Sequence, residues 1–373
     1  MKKLVIVNQS SGYLTIDIAN VYAKEYDEVV LFAGKFGEFE RKLSASVKLE
    51  KLIPYNRSSA IKRMITWFVA FIQIFIKLLF EYRKYEVVYV TNPPMSYLAS
   101  LILKNPFSVI VFDTYPDALR NIGIKQGHWF YELWSKWNRK LFGQARMVYT
   151  LSEGMADQLG NYVSRERIKV IPLWPASENF TPIAKDDNLF IKEHSLDNKF
   201  VVMYSGNMGY THKIDALVEV AERMKNNPKV HFLFVGNGKK KPELVDMVDK
   251  KKLANCTFLD WQPKEMLPYS LASADLGVIT LNEETALTSV PSKTFNLLAV
   301  GAPLLCIAPE QSEIAVMVNR FQNGLVCPAT NIDRIVNFIN TLVNDEIYRQ
   351  NMVLNSLNAV KEYTKENAKL YVN

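Results

Sequence analysis

The chain has 373 residues, 49% of them hydrophobic; this is too long for one compact α/β layer stack and predicts two domains of roughly 150–200 residues. Its three cysteines show no CxxC spacing and its four histidines form no metal motif, which argues against a disulfide scaffold and a zinc site. Residues 1–180 carry the whole excess of the +7 net charge, with 24 Lys and Arg against 16 Asp and Glu. We therefore expect the first half to meet an anionic surface or substrate, and no nucleic-acid motif accompanies this charge.

The first half alternates apolar segments of strand length with helical stretches. Leu4–Val7 is followed by NQSSGY (8–13), the small-residue turn expected before the first helix of a doubly wound sheet. Such an order predicts a parallel sheet covered by helices on both faces. The apolar run after the N-terminal lysines has only four residues, so no signal peptide is expected. Further strands are predicted at 28–34, 47–53, 85–91, 107–113, 145–152 and 168–173.

The most hydrophobic stretch of the chain is 64–80, MITWFVAFIQIFIKLLF. Its 17 residues are interrupted by Gln73 and Lys77, so it is marginal for crossing ~30 Å of hydrocarbon. Basic residues flank it on both sides, as in helices that lie at a membrane interface. Three interpretations stay open: a plain core helix, a core helix that also touches the membrane interface, and a true membrane span.

Two carboxylates follow the apolar run 107–112. Asp113 ends the run, so we expect its side chain at the carboxyl edge of the sheet, where open α/β sheets bind their ligands. Asp117 follows Pro116 and is expected in a first helical turn, where a carboxylate is stabilised by the helix dipole. Asp113 is therefore the predicted catalytic carboxylate and Asp117 a secondary, acceptor-side candidate; the alternative is that both serve only as caps.

A polar stretch at 183–198 lacks strand periodicity and marks a domain boundary. We predict domains at 1–182 and 183–373, with the option that the last helix returns to the first domain. Strands at 201–205, 230–236, 256–260, 276–281 and 304–308 then repeat the order of the first half. Neither half has a GxGxxG turn followed by a ribose-binding acid, so a nicotinamide dehydrogenase is not indicated.

Residues 288–303, TSVPSKTFNLLAVGAP, read as a loop that leads into a short helix and then a turn. Pro291 suits a first helical turn, and Ser292 suits a cap. Lys293 adds a full positive charge to the partial charge of the helix start, so a diphosphate is the expected ligand. The alternative is an ordinary capped helix with Lys293 on a solvated face.

Six motifs occur in a fixed order: TLSEGM (150–155), KVIPLWP (169–175), YSGNMG (204–209), FVGNGKK (234–240), ADLGVITL (274–281) and VPSKTFNLLAVGAPLL (290–305). With them the chain resembles retaining glycosyltransferases of family 4 over nearly its whole length. DTYPDAL (113–119) and PSK also resemble the bacterial capsule and lipopolysaccharide branch. The resemblance implies an α/β GT-B fold, with two Rossmann-like domains facing across a cleft. It also implies a nucleotide-sugar in the second domain, an acceptor in the first and no metal.

The chain departs from the family pattern at several positions. The usual Glu-x₇-Glu pair falls on Thr288 and Asn296, and neither residue is acidic. The usual Arg and Lys after the first strand of the second domain match Asn207 and His212, with Lys213 adjacent. Phe112 stands where the family has a histidine, so that catalytic role does not carry over. Lys293 is the candidate to replace the lost positive charge.

The resemblance and the residues together predict a retaining glycosyltransferase, with a probably-UDP-linked donor by family habit alone, and an acceptor that is a glycan or a polyprenyl-diphosphate-linked sugar. No cofactor or metal is expected. The predicted location is cytoplasmic, at the inner, anionic face of the cell membrane. A catalytically inactive GT-B protein and a nucleotide-sugar epimerase remain as alternatives. Asp113 and Lys293 are the predicted catalytic residues; the predicted donor-binding residues are Ser11, Gly12, Gly206, Asn207, Gly209, His212, Lys213, Asn237, Gly238, Trp261, Thr288, Val290, Pro291, Ser292 and Asn296.

Overall fold

The structure is a computed structural model that describes residues 1–37, 41–56, 58–122, 124–210, 212–283, 286 and 291–372, with backbone alone for 120–122. Two of the predicted donor-binding residues, Thr288 and Val290, lie outside the described residues. The chain forms two compact units, Met1–Ala176 with Lys365–Asn373, and Ser177–Thr364. The units meet in sequence six residues before the predicted boundary at 182/183.

The first unit is built on a parallel sheet with the order β5-β3-β1-β6-β7-β8-β9. Its strands are β1 (Lys3–Val7), β3 (Glu28–Ala33), β5 (Val47–Lys51), β6 (Glu86–Val90), β7 (Phe107–Ile110), β8 (Val148–Thr150) and β9 (Ile168–Val170), and the short β2 (Ser10–Ser11) and β4 (Lys35–Phe36) pair with each other. The predicted strands are confirmed, although several end earlier than predicted. The central strands are apolar and buried, as expected for a parallel sheet covered on both faces.

The helices of the first unit are α1 (Tyr13–Glu25), α2 (Ala60–Phe80), α3 (Trp129–Gln144) and α4 (Glu153–Leu159), with 3₁₀ turns at Ser96–Leu101, Asp117–Ile122, Arg165–Arg167 and Lys365–Tyr371. The last of these turns belongs to the first unit, far from the rest of it in sequence. Tyr371 is buried there, and its carbonyl accepts hydrogen bonds from the hydroxyls of Tyr22 (2.7 Å) and Tyr149 (2.9 Å). These contacts fix the end of the chain to α1 and β8.

Helix α2 has one packed face and one exposed face. Thr66, Ala70, Ile74 and Leu78 recur at helical spacing and are buried. A second row of apolar side chains on α2 is 36–72% exposed: Ile61, Ile65, Phe68, Ile72, Ile76 and Leu79. The interpretation as a plain core helix is therefore wrong. Among the described residues, α2 is long and apolar enough to cross a membrane by length and composition, which is weak evidence for a span.

The second unit repeats the architecture with the parallel order β12-β11-β10-β13-β14-β15. Its strands are β10 (Phe200–Ser205), β11 (Val230–Val235), β12 (Cys256–Leu259), β13 (Leu276–Thr280), β14 (Leu304–Ile307) and β15 (Gly324–Cys327); its helices are α5 (Leu189–Glu193), α6 (Asp215–Arg223), α7 (Lys241–Lys250), α8 (Leu267–Ala272), α9 (Lys293–Ala299), α10 (Glu313–Phe321), α11 (Ile332–Asn344) and α12 (Glu346–Val360), with a 3₁₀ turn at Lys185–Asp187. The edge strand β15 was not predicted, because GLVC is short and begins with glycine. That glycine is required by close packing: a Cβ at Gly324 would lie 2.0 Å from the carbonyl oxygen of Leu304.

Candidate functional site

The second unit has a cavity of about 370 Å³ at the carboxyl edge of its sheet. Segments that directly follow β13, β14 and β15 form its wall, and Lys213, which follows β10, completes it. Open parallel sheets bind ligands at this edge, where the strand order reverses around β10 and β13. The lining residues are Lys213, Leu281, Asn282, Glu283, Ile307, Ala308, Pro309, Glu310, Gln311, Pro328, Ala329 and Thr330.

Glycines bring the loops after β10 and β11 into direct contact. Gly236 and Gly238 have positive φ angles of 130° and 158°, and a Cβ on either would clash with backbone. It would lie 2.2 Å from the carbonyl oxygen of Gly206 in the first case and 2.3 Å from that of Met208 in the second. Gly238, a predicted donor-binding residue, thus has a packing role: it lets the two loops touch.

Lys293 begins α9, and its ammonium lies 3.8 Å from the centre of the Tyr204 ring. A side chain at Gly206 would meet the same ammonium at 3.4 Å. Lys293 is only partly exposed, so the expectation of an open helix start is wrong, and so is the alternative of a solvated face. Burial lowers the pKa of Lys293 to about 7, partly opposed by the nearby Cys306. Within the part of the chain that the structure describes, the ammonium has no hydrogen bond and no ion pair.

His212 lies between Lys293 and β13. Its Nδ1 is 3.2 Å from the hydroxyl of Thr280, and its ring meets Tyr204 edge-on with centroids 6.4 Å apart. Burial lowers the pKa of His212, and the charge of Lys293 lowers it further. His212 therefore favours the neutral form until an anion arrives nearby.

Lys240 is a functional candidate that sequence reasoning missed. It is buried at the start of α7 and forms an ion pair with Asp215 at the start of α6. Burial lowers its pKa, and the charge of Lys213 adds to that effect. Lys240 also acts electrostatically on His212. His212, Lys213, Lys240 and Lys293, called here the basic cluster, thus gather at the carboxyl end of β10; the GNGKK stretch contained the signal, but its two lysines were not separated.

Other predicted donor residues lie apart from this cluster or contribute backbone. Asn207 is exposed, and its carbonyl accepts from the Tyr204 hydroxyl at 2.8 Å; Gly209 accepts at its carbonyl from the His212 amide. Asn237 is turned to the other side of the loop, donating to Asp260 at 3.3 Å. Trp261 is 58% exposed in the loop after β12 and is not in the cavity wall.

The start of α9 differs in detail from its prediction. Helix α9 begins at Lys293, so Pro291 precedes the capping residue instead of occupying the first turn. Ser292 stands at the cap, but its side chain makes no capping hydrogen bond. Asn296 is half-buried in the second turn. The short helix therefore serves to hold Lys293 against Tyr204.

The first unit has its own cavity, of about 160 Å³, at the carboxyl edge of β1, β6 and β7. Asp113 and Gly12 both line it, although they are a hundred residues apart. Asp113 lies three residues beyond the end of β7 and is exposed, as its position in the sequence predicted. Ser11 is buried and donates to the carbonyl of Asn8 at 2.9 Å, so its hydroxyl has a structural role. Ser11 and Gly12 were predicted as donor contacts; the structure puts both in the first unit.

Asp117 is engaged by two tyrosines. The hydroxyl of Tyr131 donates to one carboxylate oxygen at 2.7 Å, and that of Tyr162 donates to the other at 2.8 Å. Asp117 also begins the 3₁₀ turn 117–122. It ties this turn to α3 and to the segment after α4, which is a structural role.

Across the described residues, no group of three or more His, Cys, Asp or Glu side chains has the geometry to hold a metal ion. The three cysteines are unpaired, and Cys306 and Cys327 are buried. The expected independence of metals and cofactors stays a prediction.

Two family models match the chain. Residues 19–174 match the glycosyl transferase 4-like domain, and residues 186–359 match glycosyl transferases group 1. One similar curated protein is the putative colanic acid biosynthesis glycosyl transferase WcaI of Escherichia coli, 27% identical over 57% of this chain and 53% of its own length. The chain thus spans about half the length of that relative. Another is the probable glycosyltransferase WbjE of Pseudomonas aeruginosa, 25% identical over 88% of this chain and 84% of its own.

Solved structures agree on the fold. Anabaena Alr3699/HepE, in complex with UDP and glucose, has a TM-score of 0.74 at 17% identity and covers 100% of this chain and 98% of its own. WaaG, a glycosyltransferase involved in lipopolysaccharide biosynthesis, has a TM-score of 0.68 at 13% identity, with 96% and 95% coverage. The two sheets, the ordered motifs and the matches to both halves lead to one conclusion. The chain belongs to the family 4-like, group 1 glycosyltransferases and has their GT-B fold of two Rossmann-like domains.

Proposed function

We propose that this glycosyltransferase uses a nucleotide diphosphate sugar, and that the basic cluster of His212, Lys213, Lys240 and Lys293 binds the diphosphate. The observation that carries the proposal is Lys293. Its ammonium is desolvated beside Gly206 and has no hydrogen bond or ion pair among the described residues. A buried cation without an anion is costly unless a ligand supplies one, and a diphosphate does so.

The bond between the anomeric carbon and the diphosphate oxygen breaks in the transfer, and negative charge grows on the leaving diphosphate. Lys293 and the N–H groups of the Gly206–Gly209 loop supply fixed positive charge and donors for it. One donor of this kind contributes about 3 kcal/mol to a catalytic step. The acceptor hydroxyl then bonds to the anomeric carbon, and its proton passes to the departing diphosphate, as proposed for the retaining enzymes that the chain resembles. Retention of configuration is part of this proposal.

The donor is proposed to be a UDP-sugar, since the similar Anabaena Alr3699/HepE is seen with UDP and glucose. The acceptor is proposed to be a glycan or a polyprenyl-diphosphate-linked sugar in surface polysaccharide synthesis. The relatives named for colanic acid and lipopolysaccharide biosynthesis support this class. Asp113, which is exposed at the cavity of the first unit, is the carboxylate proposed to orient the acceptor hydroxyl.

Transfer by the pure protein tests the proposal. Radiolabelled UDP-sugars are offered with a polyprenyl-diphosphate-linked sugar, and labelled product is separated from donor in the presence of EDTA, because no metal is proposed to take part. Turnover in EDTA supports the assignment, and turnover restored by Mn²⁺ alone refutes metal independence. UDP binding without transfer or hydrolysis of any donor would favour the inactive alternative, for which the neutral Asn296 is the motivating residue.

We also propose that the enzyme works at the cytoplasmic face of the membrane, with the exposed apolar row of α2 in the lipid interface. That row is amphipathic in position: its opposite face packs on the first unit. Lys62 and Arg63 at one end, and Arg83 and Lys84 at the other, suit anionic lipid headgroups. The excess of basic residues in the first half adds to this attraction.

A further inference from the structure

Two N–H donors on the packed side of α2 have no acceptor. Arg63 and Trp67 lie one helical turn apart, in register with the buried Ala70 and Ile74. The Nε of Arg63 and the Nε1 of Trp67 are both buried, and neither has a hydrogen-bond partner among the described residues. Burying such a donor without an acceptor costs about 1–3 kcal/mol, so two adjacent cases call for an explanation.

The two donors face a common aromatic surface. The Arg63 guanidinium lies 5.3 Å from the centre of the Trp67 ring. Tyr55 stacks on Trp67 at 5.7 Å and 9°, and Tyr115 meets it edge-on at 6.4 Å. Tyr55 follows β5 and Tyr115 follows β7, so this group lies at the carboxyl edge of the sheet, the same edge as Asp113.

Asp113 and Arg63 both reach this group electrostatically. Burial raises the pKa of Tyr115; the Asp113 carboxylate and Tyr55 raise it further, whereas Arg63 lowers it. Gln9 holds the helix in place, since its amide donates at 3.0 Å to the carbonyls of Ile53 and Thr66. The unpartnered donors are thus on a fixed element, next to the carboxylate that the proposed function uses.

We propose that Arg63 and Trp67 bind the diphosphate of an isoprenyl-diphosphate-linked sugar acceptor, beside the rings of Tyr55 and Tyr115. This inference rests on the proposed function and assigns the acceptor site to named residues. Both groups donate only, and phosphate oxygens accept only. A guanidinium also matches phosphate geometry with paired hydrogen bonds. On binding, the long Arg63 side chain turns toward the phosphate and uncovers the indole N–H.

The exposed row of α2 supplies the rest of the match. Ile61, Ile65 and Phe68 are 54–72% exposed and lie on the same helix turns as Arg63 and Trp67. An amphiphile with an anionic head and an isoprenoid tail would put its head at the two donors and its tail along this row. A free sugar phosphate would leave the row uncovered, and a hydrocarbon alone would leave both donors unpaired.

Binding of farnesyl diphosphate to the full chain tests the site without any donor present. The tryptophan indole N–H signals are recorded by ¹⁵N NMR, and the Trp67 signal is assigned with Trp67→Phe. We expect farnesyl diphosphate to shift the Trp67 signal strongly and inorganic diphosphate to shift it more weakly. Farnesol and UDP should leave it in place. If UDP shifts it equally, the donors belong to a nucleotide site and the proposal is overturned.

Variants then measure what the two donors contribute. Arg63→Ala should weaken farnesyl diphosphate binding about tenfold or more, as expected for a lost charge-assisted hydrogen bond. Trp67→Phe keeps a ring but removes the N–H, and should weaken binding severalfold. Lys104→Ala is the matched control, because Lys104 is an exposed cation before β7, at the amino edge of the sheet. Wild-type affinity in both Arg63→Ala and Trp67→Phe would refute the site.

Phosphatidylglycerol vesicles distinguish a membrane headgroup from the acceptor. If they shift the Trp67 signal as much as farnesyl diphosphate does, the ligand is a phospholipid and the proposal fails. If Trp67→Phe does not fold, the wild-type indole shift and Arg63→Ala still decide the question. Failure of sugar transfer together with normal farnesyl diphosphate binding would refute the proposed function and leave this site standing.

Discussion

The ammonium of Lys293 rests 3.8 Å above the ring of Tyr204, and the Tyr204 hydroxyl donates to the carbonyl of Asn207 in the glycine loop. One buried tyrosine therefore holds both a cation and the loop that would face the same phosphate. A desolvated cation–π contact contributes about 2 kcal/mol, which is enough to hold the flexible lysine chain in one position.

Tyr204 should act through Lys293. We expect Tyr204→Phe, which keeps the ring, to retain donor binding within about threefold, and Tyr204→Leu, which removes it, to lose about tenfold or more. The pH dependence of UDP binding separates this from a general loss of packing, since only loss of the ring alters the environment of the ammonium. Equal UDP affinities and pH profiles in the two variants would contradict a positioning role.

Lys293→Met should lower kcat about a hundredfold or more, because it removes a fixed positive charge at the leaving diphosphate. Stability should hold or increase, since methionine fills the same space without a desolvated charge. Turnover and thermal unfolding are measured on the same samples. A variant with wild-type turnover would exclude Lys293 from the reaction.

Donor binding should be coupled to a proton. Burial lowers the pKa of Lys293 to about 7 from the ordinary 10.5. Between these pH values the unfolded chain binds the proton more fully than the folded chain, so this residue makes the free energy of unfolding rise with pH. A bound diphosphate favours the ammonium and raises its pKa, so UDP binding at pH 8 should take up close to one proton.

Calorimetry of UDP binding in buffers of different ionisation enthalpy measures this uptake. Lys293→Met should take up no proton at that position. His212→Asn is the matched variant, because the pKa of His212 is lowered as well. Uptake that disappears in His212→Asn and persists in Lys293→Met would assign the proton to the histidine instead.

Asp113→Asn and Asp117→Asn should separate rate from stability. Asp113 is exposed at a cavity, so its amide variant should keep the wild-type melting temperature and lose turnover. Asp117 accepts from Tyr131 and Tyr162, and an amide leaves one hydroxyl poorly paired, at about 1–3 kcal/mol of stability. Near-normal kcat in Asp113→Asn, with a large loss in a well-folded Asp117→Asn, would reverse the two roles.

Anionic vesicles should bind the protein reversibly through α2. Replacing Ile65 and Phe68 by serine should release it, because these exposed side chains are proposed to enter the interface. Ile102→Ser is the control, an equally apolar residue of the first unit that is 72% exposed elsewhere. Salt should weaken binding, by roughly 1 kcal/mol per well-placed basic residue that it screens. Binding that is lost in the control, or is insensitive to salt, would refute this account.

Periodicity and order predicted the two sheets because buried parallel strands read as short apolar runs, as at Leu4–Val7 and 201–205. The position of Asp113 after such a run also predicted its exposure at the strand edge. By contrast, β15 is too short to stand out, and the exposed row of α2 looks in sequence like its buried row.

The state of Lys293 could not be predicted locally. A Lys after Pro-Ser reads as a solvated helix start, and what desolvates it is Tyr204, some ninety residues earlier. The same holds for Arg63 and Trp67, whose unpaired donors are defined by loops after β5 and β7. Long-range packing decides the electrostatic properties of the site, and no sequence window contains it.

The return of the 365–371 turn to the first unit has a consequence for biosynthesis. The carbonyl of Tyr371 receives the hydroxyls of Tyr22 and Tyr149, so two tyrosines made early wait for a partner made some two hundred residues later. On a ribosome adding about 5–20 residues per second, that delay exceeds ten seconds. During it, the first unit has its sheet but not its closing segment. Chaperones would thus meet an unfinished Rossmann unit, and expression of residues 1–176 alone would reproduce that intermediate and not the mature unit.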